Sequence, residues 1–336
     1  MMKAIYIKQY GAVKDVVRFG EMPKPKPHPD EVLIEVHAAS VNPVDFKRVS
    51  GATKLVMPYT FPAVIGYDVS GVVVEVGKNV RHFSVGDEVY TAFTHQIGSG
   101  AFAEYATAPE SALAFKPRNL SHAEAASIPV VGLTSWQAFT DVFKLRAGHK
   151  VLIHAGAGGV GTFAIQLAKY LGAMVATTAS ASKHELVKSL GADVIVDYRT
   201  DNFRRLLKDC DLVLDTLGGQ GLMDSFYCLR RGGMVISISG APDKYFGKAM
   251  RLNPFVRVAL WAMNRSVYRV ARETETEYRF LLKSSRGEDL AAITDLVERR
   301  IIHPVIDRSY PLAQAADALE YLQTGHATGK VVLTIR

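Results

Sequence analysis

A short apolar run, Val151-Leu152-Ile153-His154, leads into Ala155-Gly156-Ala157-Gly158-Gly159-Val160-Gly161, and a helix-periodic stretch follows from Thr162. Gly156, Gly158 and Gly161 fit the spacing G-x-G-x-x-G between a strand and a helix, the pattern that seats a dinucleotide pyrophosphate. A tight turn, close approach of backbone to phosphate and close packing of helix on strand each require an absent side chain. The helix start, with the backbone N–H groups of Gly159, Val160 and Gly161, supplies donors for phosphate oxygens. A glycine turn without a ligand is the competing reading, and the strand, turn, helix context disfavours it.

A nucleotide with a free ribose 2′-hydroxyl is usually held by an acid about 20 residues beyond the glycines. Here the second strand runs out through Thr177-Thr178-Ala179-Ser180-Ala181-Ser182-Lys183, and the first acid is Glu185. The hydroxyl of Ser180 and the ammonium of Lys183 suit a 2′-phosphate instead, so the expected cofactor is NADP (as NADPH). For Lys183 the alternative is a solvated helix start. Other chemistries find little material: there is no convincing Ser-His-Asp or paired-carboxylate set. The two cysteines, Cys210 and Cys228, lie in apolar stretches and are read as buried thiols.

Alternating elements are needed to position this motif, and the sequence has them. Val151–His154, Met174–Thr177, Val194–Val196, Leu212–Asp215 and Met234–Ile238 are short apolar runs separated by helical stretches such as 163–171 and 183–190. Buried parallel strands have this pattern, which predicts an α/β domain with a doubly wound parallel sheet. Tyr278–Lys283 reads as its sixth and outermost strand, followed by a helix over 288–299. Upstream, Ala4–Ile7, Glu31–Val36, Gly71–Gly77 and Asp87–Tyr90 read as strands between turns, a β-rich domain. The expected division is 1–123 with 300–336 as the β-rich domain, and 124–299 as the nucleotide domain, with an insertion at 243–272.

Composition narrows the function classes. The chain has 336 residues and a formal net charge of +7. Seven basic residues and no acidic one fall between Lys244 and Arg272, which accounts for the whole excess and excludes a uniformly basic nucleic-acid face. No run of 18 apolar residues occurs and the N-terminus carries no signal-peptide pattern, so a cytoplasmic address is expected. Asn253-Pro254 is placed to cap a helix with Phe255, Val258, Leu260, Trp261, Met263, Val267, Tyr268 and Val270 on an apolar side. A lid or packing element is favoured for this insertion over contact with a membrane surface.

These residues, in the order β-rich domain, nucleotide domain and C-terminal return, resemble the medium-chain dehydrogenase/reductase superfamily over essentially the whole chain. The resemblance rests on Pro62–Gly71 (PAVIGYDVSG), Val85–Val89 (VGDEV) and Ala327–Val332 (ATGKVV) besides the glycine motif. It implies a GroES-like fold for the β-rich domain, and it is strongest for the zinc-independent quinone oxidoreductase and alkenal/enone reductase branch. Zinc alcohol dehydrogenases carry a cysteine where this chain has Asn42, and Gly-His-Glu where it has Gly66-Tyr67-Asp68. The four-cysteine lobe of those relatives has no counterpart within Glu88–Ala108, so no metal centre is expected.

The resemblance also assigns roles. Asn42, Asp45 and Lys47 line the cleft floor in similar enzymes, with Lys47 able to reach a cofactor or substrate oxygen. Thr134 matches a threonine near the nicotinamide carboxamide, a helix N-cap being the alternative. Tyr198 matches a tyrosine beside the adenosine phosphate. A nicotinamide delivers hydride to an electron-poor carbon or a quinone ring. With an α,β-unsaturated carbonyl, charge then gathers on the carbonyl oxygen. Without zinc that charge needs preorganised donors, for which the Asn42 amide, the Lys47 ammonium, the Tyr59 hydroxyl and the ribose hydroxyl are candidates. A non-catalytic NADPH-binding protein and a membrane-associated reductase of a lipid quinone are the other readings. Similar enzymes pair the outer strand across a two-fold axis, so a homodimer is expected.

Overall fold

The computed structural model describes residues 1–94, 99–249 and 253–336. The chain forms two compact units, one of residues 1–133 with 284–336, the other of residues 134–283.

The first unit is built on β-strands. One sheet runs in the order Ile306–Pro311, Lys330–Thr334, Glu31–Val41, Asp68–Val76, Glu88–Ala92, Ala114–Phe115, with Tyr105–Pro109 also paired to Glu31–Val41. A smaller sheet joins Arg18–Met22, Met2–Ile7 and Ala63–Val64. Val32, Ile34, Val36, Val69, Val73 and Leu333 meet in one core, where β-branched side chains suit a pleated buried surface. The C-terminal strand returns to this sheet antiparallel to Glu31–Val41, with Val331 opposite Val41 and Thr334 opposite Ala38. That pairing brings Lys330 beside the end of Glu31–Val41, where the chain turns into the helix Pro43–Val49.

The second unit holds six parallel strands in the order Val194–Val196, Met174–Thr178, Lys150–Ile153, Cys210–Asp215, Leu229–Ser237, Glu277–Phe280. This is the doubly wound arrangement read from the sequence. Strand order reverses around Lys150–Ile153, and the glycine turn leaves its C-terminal end, the place where open α/β sheets bind ligands.

Three sequence expectations change. The helix Gly287–Glu298 belongs to the first unit rather than to the nucleotide domain. Tyr90 Oη donates to its Leu290 carbonyl at 3.0 Å, and Asn119 Nδ2 to its Val297 carbonyl at 2.9 Å. The units therefore divide at 133/134 and 283/284 instead of 123/124 and 299/300.

The outer strand is shorter than Tyr278–Lys283. It ends at Phe280, and the Leu281 N–H donates inward to the Ser237 carbonyl. One donor on its outer edge is already engaged. The Phe280 N–H donates to Asp243 Oδ2 at 3.2 Å, and the Phe246 ring meets the Phe280 ring edge-on at 5.4 Å between centroids.

The insertion, finally, is not one helix. Asn253 Oδ1 caps Pro254–Met263 by accepting from the Phe255 N–H at 2.9 Å, but the chain breaks at buried Asn264 and restarts as Arg265–Glu273. The second helix packs Val267 and Ala271 into the core near Tyr278, while the first buries only Leu260. Residues 250–252 of the insertion, Arg251 included, lie outside the described residues.

Candidate functional site

The nucleotide-binding candidates lie in the second unit. A Cβ on Gly156 would stand 2.1 Å from Thr177 Oγ1, and one on Gly161 would stand 2.3 Å from the Ala155 carbonyl oxygen. Those two glycines let strand, turn and helix close on one another. Gly158 differs: a Cβ there would meet only the Ala155 carbonyl oxygen, at 3.2 Å. The space above it is open, as the approach of a pyrophosphate requires. The helix Gly159–Tyr170 begins here, and the N–H groups of Gly159, Val160 and Gly161 have no acceptor among the described residues. Three undonated N–H groups at a helix start with bare space before them fit a dinucleotide phosphate. Beneath the turn, fully buried His154 contacts Thr178 Oγ1 through Nδ1 at 3.2 Å and Ser225 Oγ through Nε2 at 2.9 Å. Burial lowers its pKa to about 4, so the ring is neutral and fastens the turn to its neighbours.

The adjacent strands Met174–Thr178 and Val194–Val196 place a second set of residues together, since Thr178 pairs with Val196. Asp197 ties their two ends: Oδ2 accepts from the Ala181 N–H and Oδ1 from the Arg199 N–H, each at 2.9 Å. An acid does stand at this turn, but both its oxygens are engaged by backbone. Around it lie buried Ser180, half-buried Lys183, and exposed Tyr198 and Arg199, with the guanidinium carbon 5.8 Å from the Tyr198 ring centre. Lys183 and Arg199 form no ion pair among the described residues. Arg199 went unnoticed in the sequence, where its one signal is a basic residue just past the third strand. Thr134 is buried within the helix Pro129–Gln137, in its interior rather than at its N-cap.

The candidate donors Asn42, Lys47 and Tyr59 lie in the first unit. Pro43 opens the helix Pro43–Val49, and Asp45 Oδ2 accepts the Asn42 N–H at 2.7 Å as part of a capping box. The Asn42 amide is fully used within the fold. Its Nδ2 donates to Asp68 Oδ2 at 2.8 Å and to the Ser40 carbonyl at 3.2 Å, while its Oδ1 accepts from Lys330 Nζ at 2.5 Å. Asp68, fully buried, also accepts from Ser40 Oγ at 2.6 Å, from the Val130 N–H at 2.7 Å and from Lys330 Nζ at 3.1 Å. Lys330 is thus the cation of this cluster, and Asp68 its saturated anion. From sequence Asp68 was noted only as part of Gly66-Tyr67-Asp68, where zinc relatives carry Gly-His-Glu, and Lys330 only within the stretch Ala327–Val332; a lysine beginning the apolar run Val331-Val332-Leu333 was the available sign of its role.

Asp45 is fully buried and its Oδ1 has no partner. Burial, reinforced by the Asp68 charge, raises its pKa to about 8 despite the Asn42 hydrogen bond, so the carboxyl is largely neutral at pH 7.

Arg48, on the same helix and also buried, donates to the Met57 and Pro58 carbonyls and to the Tyr67 hydroxyl, at 3.2, 2.9 and 3.3 Å. Its guanidinium carbon stands 3.6 Å from the centre of the Tyr59 ring. The Tyr59 hydroxyl is buried and unpartnered, and burial raises its pKa far above the ordinary phenol value. Tyr67 is raised to about 12 for the same reason. Tyr10 and Phe61 complete an aromatic group around Tyr59, with centroids 6.3 Å from its ring. Lys47 points the other way, exposed on the outer face of the helix. The structure therefore brings Asn42, Asp45 and Tyr59 to one region, and leaves Lys47 on its solvent side.

The family models that match are the alcohol dehydrogenase GroES-like domain over residues 28–118 and the zinc-binding dehydrogenase over residues 190–333. The chain is 35% identical to the chloroplast envelope quinone oxidoreductase homolog of Arabidopsis thaliana, covering 99% of this chain and 98% of that one. The chain belongs to the medium-chain dehydrogenase/reductase superfamily. It falls in the zinc-independent quinone oxidoreductase and alkenal reductase branch. It is also 35% identical to the NADPH-dependent alkenal/one oxidoreductase of Arabidopsis thaliana, over 99% of this chain and 79% of that protein. The quinone oxidoreductase structure from Coxiella burnetii superposes with a TM-score of 0.86 at 34% identity, covering 100% and 99% of the two chains.

Within this superfamily the chain departs at the positions that hold zinc in its alcohol dehydrogenases. The Asn42 amide is saturated, the Tyr67 hydroxyl faces Arg48, and the Asp68 carboxylate is neutralised by Lys330. An ammonium already balances the buried anion, so this donor set does not fit a divalent cation. Among the described residues no three His, Cys, Asp or Glu side chains gather as a metal site would need. No helix of the described residues is long and apolar enough to cross a membrane.

Proposed function

We propose that this protein is an NADPH-dependent oxidoreductase that reduces an activated C=C bond of an α,β-unsaturated carbonyl, or a quinone, by hydride transfer without zinc. The observation that carries the reading is the Tyr59 hydroxyl: buried, unpartnered, protonated at neutral pH and framed by Tyr10, Phe61 and Arg48. A preorganised donor of this kind stabilises an enolate or hydroquinone oxygen as negative charge develops there. The bound nicotinamide supplies the hydride. Aromatic rings around the donor suit a flat, electron-poor acceptor.

Roles divide accordingly. Gly156, Gly158, Gly159, Val160 and Gly161 hold the pyrophosphate, and Thr134 stands toward the carboxamide. Ser180 and Lys183, with Arg199 and the Tyr198 ring, hold the 2′-phosphate and adenosine. Asn42 has no donor to spare and acts as a positioning residue, fixing Lys330 and the helix start; Lys47 is an exposed cation able to meet a cofactor or substrate oxygen. The names of the two plant relatives, one an NADPH-dependent alkenal/one oxidoreductase and one a quinone oxidoreductase homolog, support the same chemistry. A cytoplasmic address is proposed alongside, with subcellular fractionation as its check. A homodimer that pairs the outer strand Glu277–Phe280 across a two-fold axis is also proposed; forming it would displace the Asp243 carboxylate from the Phe280 N–H.

Steady-state NADPH oxidation over a panel of simple enones and quinones tests the reading. Tyr59→Phe is expected to lower kcat by roughly 10²-fold or more with the far-UV spectrum and NADPH binding unchanged. NADPH binding without turnover of any acceptor would establish a non-catalytic nucleotide-binding protein instead, and full activity in Tyr59→Phe would remove the donor role.

A further inference from the structure

The helix Pro254–Met263 turns its apolar side outward. Phe255 is 86% exposed, Val258 64%, Trp261 53% and Met263 66%, while Leu260 is its only buried residue. A soluble protein seldom leaves four large apolar side chains together on one helix about 15 Å long without a use for them. The surroundings are cationic. Lys244, Lys248, Arg257, Arg265, Arg269 and Arg272 are all exposed, and none pairs with a carboxylate among the described residues. No acid occurs anywhere from 244 to 272. Arg265 stands 5.8 Å from the Trp261 ring centre and Lys244 5.0 Å from that of Tyr245, so charge and aromatic surface interleave. A cavity of about 320 Å³ opens beside the helix, lined by Lys244 and Arg257, by Pro254, Val258 and Trp261, and by the buried Asp243, whose carboxylate is engaged by the Phe246 and Phe280 N–H groups.

We propose that this helix and its basic border dock the protein onto an anionic lipid bilayer. Apolar side chains and a tryptophan enter the headgroup boundary while lysines and arginines meet lipid phosphates, the division that interfacial helices use. Charge selects this occupant over a second copy of the chain. A two-fold contact through the same face would set six cations against six more, and the carboxylate beside Lys244 in sequence, Asp243, is buried and backbone-bonded. The reductase reading does not depend on this face. A chain docked in this way meets acceptors dissolved in the membrane.

The test is co-sedimentation of the full-length protein with vesicles of phosphatidylcholine alone or mixed with phosphatidylglycerol, in low and high salt. Binding is expected only to the mixed vesicles, weakened by about tenfold or more in high salt and accompanied by a blue shift of tryptophan emission. The double variant Phe255→Ser/Trp261→Ser and the double variant Arg257→Glu/Arg265→Glu should each weaken binding by a similar factor, with NADPH affinity and turnover of a water-soluble quinone unchanged. Failure of wild type to sediment with mixed vesicles, or wild-type binding by either variant, overturns the proposal. A fall in light-scattering mass in Phe255→Ser/Trp261→Ser would assign the face to self-association, and a raised KM for the soluble quinone would assign it to a lid; either result also overturns it. NADPH oxidation by the wild type is measured separately, so loss of docking and loss of the reductase reading are distinguishable.

Discussion

Replacing Asp45 by Asn should make the protein more stable, and by an amount that grows with pH. The carboxyl is fully buried, Oδ2 is held by the Asn42 N–H and Oδ1 has no partner. Its pKa stands at about 8 in the folded chain against 3.8 as the ordinary value. Between these two values the unfolded chain releases the proton and the folded chain keeps it. The folded state then binds more protons, so wild-type stability falls as pH rises. Each pH unit inside the window is worth about 1.4 kcal/mol, so from pH 5 to pH 7 the wild type should lose about 2.7 kcal/mol relative to Asp45→Asn. The asparagine Oδ1 still accepts the Asn42 N–H and the volume is conserved, so the capping box survives and the comparison isolates the ionisation. Urea denaturation of both proteins at a series of pH values gives the difference directly, with every other titrating group cancelling. A wild-type to variant difference that is flat from pH 5 to pH 7 would refute the reasoning, since it would mean that Asp45 ionises as readily folded as unfolded.

Lys330→Met should cost about 3–5 kcal/mol by leaving Asp68 buried and uncompensated, and adding Asp68→Asn should recover much of it; calorimetry on the single and double variants checks this. NADPH should bind at least about tenfold tighter than NADH, and Lys183→Ala or Arg199→Ala should narrow the gap in a fluorescence titration, whereas equal affinities for the two nucleotides would remove the 2′-phosphate assignment. Turnover should survive chelators, with zinc well below one per chain by elemental analysis; activity lost on chelation and restored by zinc would reverse the metal-free reading. Light scattering across a concentration series should give about twice the chain mass of 36.7 kDa, and the single-chain mass throughout would show that Asp243 keeps the outer strands apart.

By itself the sequence determined whatever depends on neighbours along the chain. The glycine spacing required a strand, a turn and a helix at 150–170, because Cβ atoms at Gly156 and Gly161 have nowhere to go. Apolar runs of strand length separated by helical stretches required a doubly wound sheet, and Asn42-Pro43 with Asp45 required a helix start. The absence of an acid after Thr178 was equally legible. Tertiary structure alone decided which polar groups remain available. Lys330 lies 288 positions from Asn42 and saturates its amide, so a residue that reads as a free donor is a positioning residue. Tyr59 and Lys47 exchange standing because one side of the helix Pro43–Val49 faces the core and the other faces water. Arg199 joins Ser180 and Lys183 only because the strands Met174–Thr178 and Val194–Val196 pair in register, and one donor of the outer strand is taken by Asp243 from an insertion with no periodic signal for that contact. Local pattern governs backbone conformation because propensity and side-chain period act over a few residues. Desolvation and hydrogen-bond partnership depend on which distant segments pack together, and those set the chemistry of Asn42, Asp45 and Tyr59.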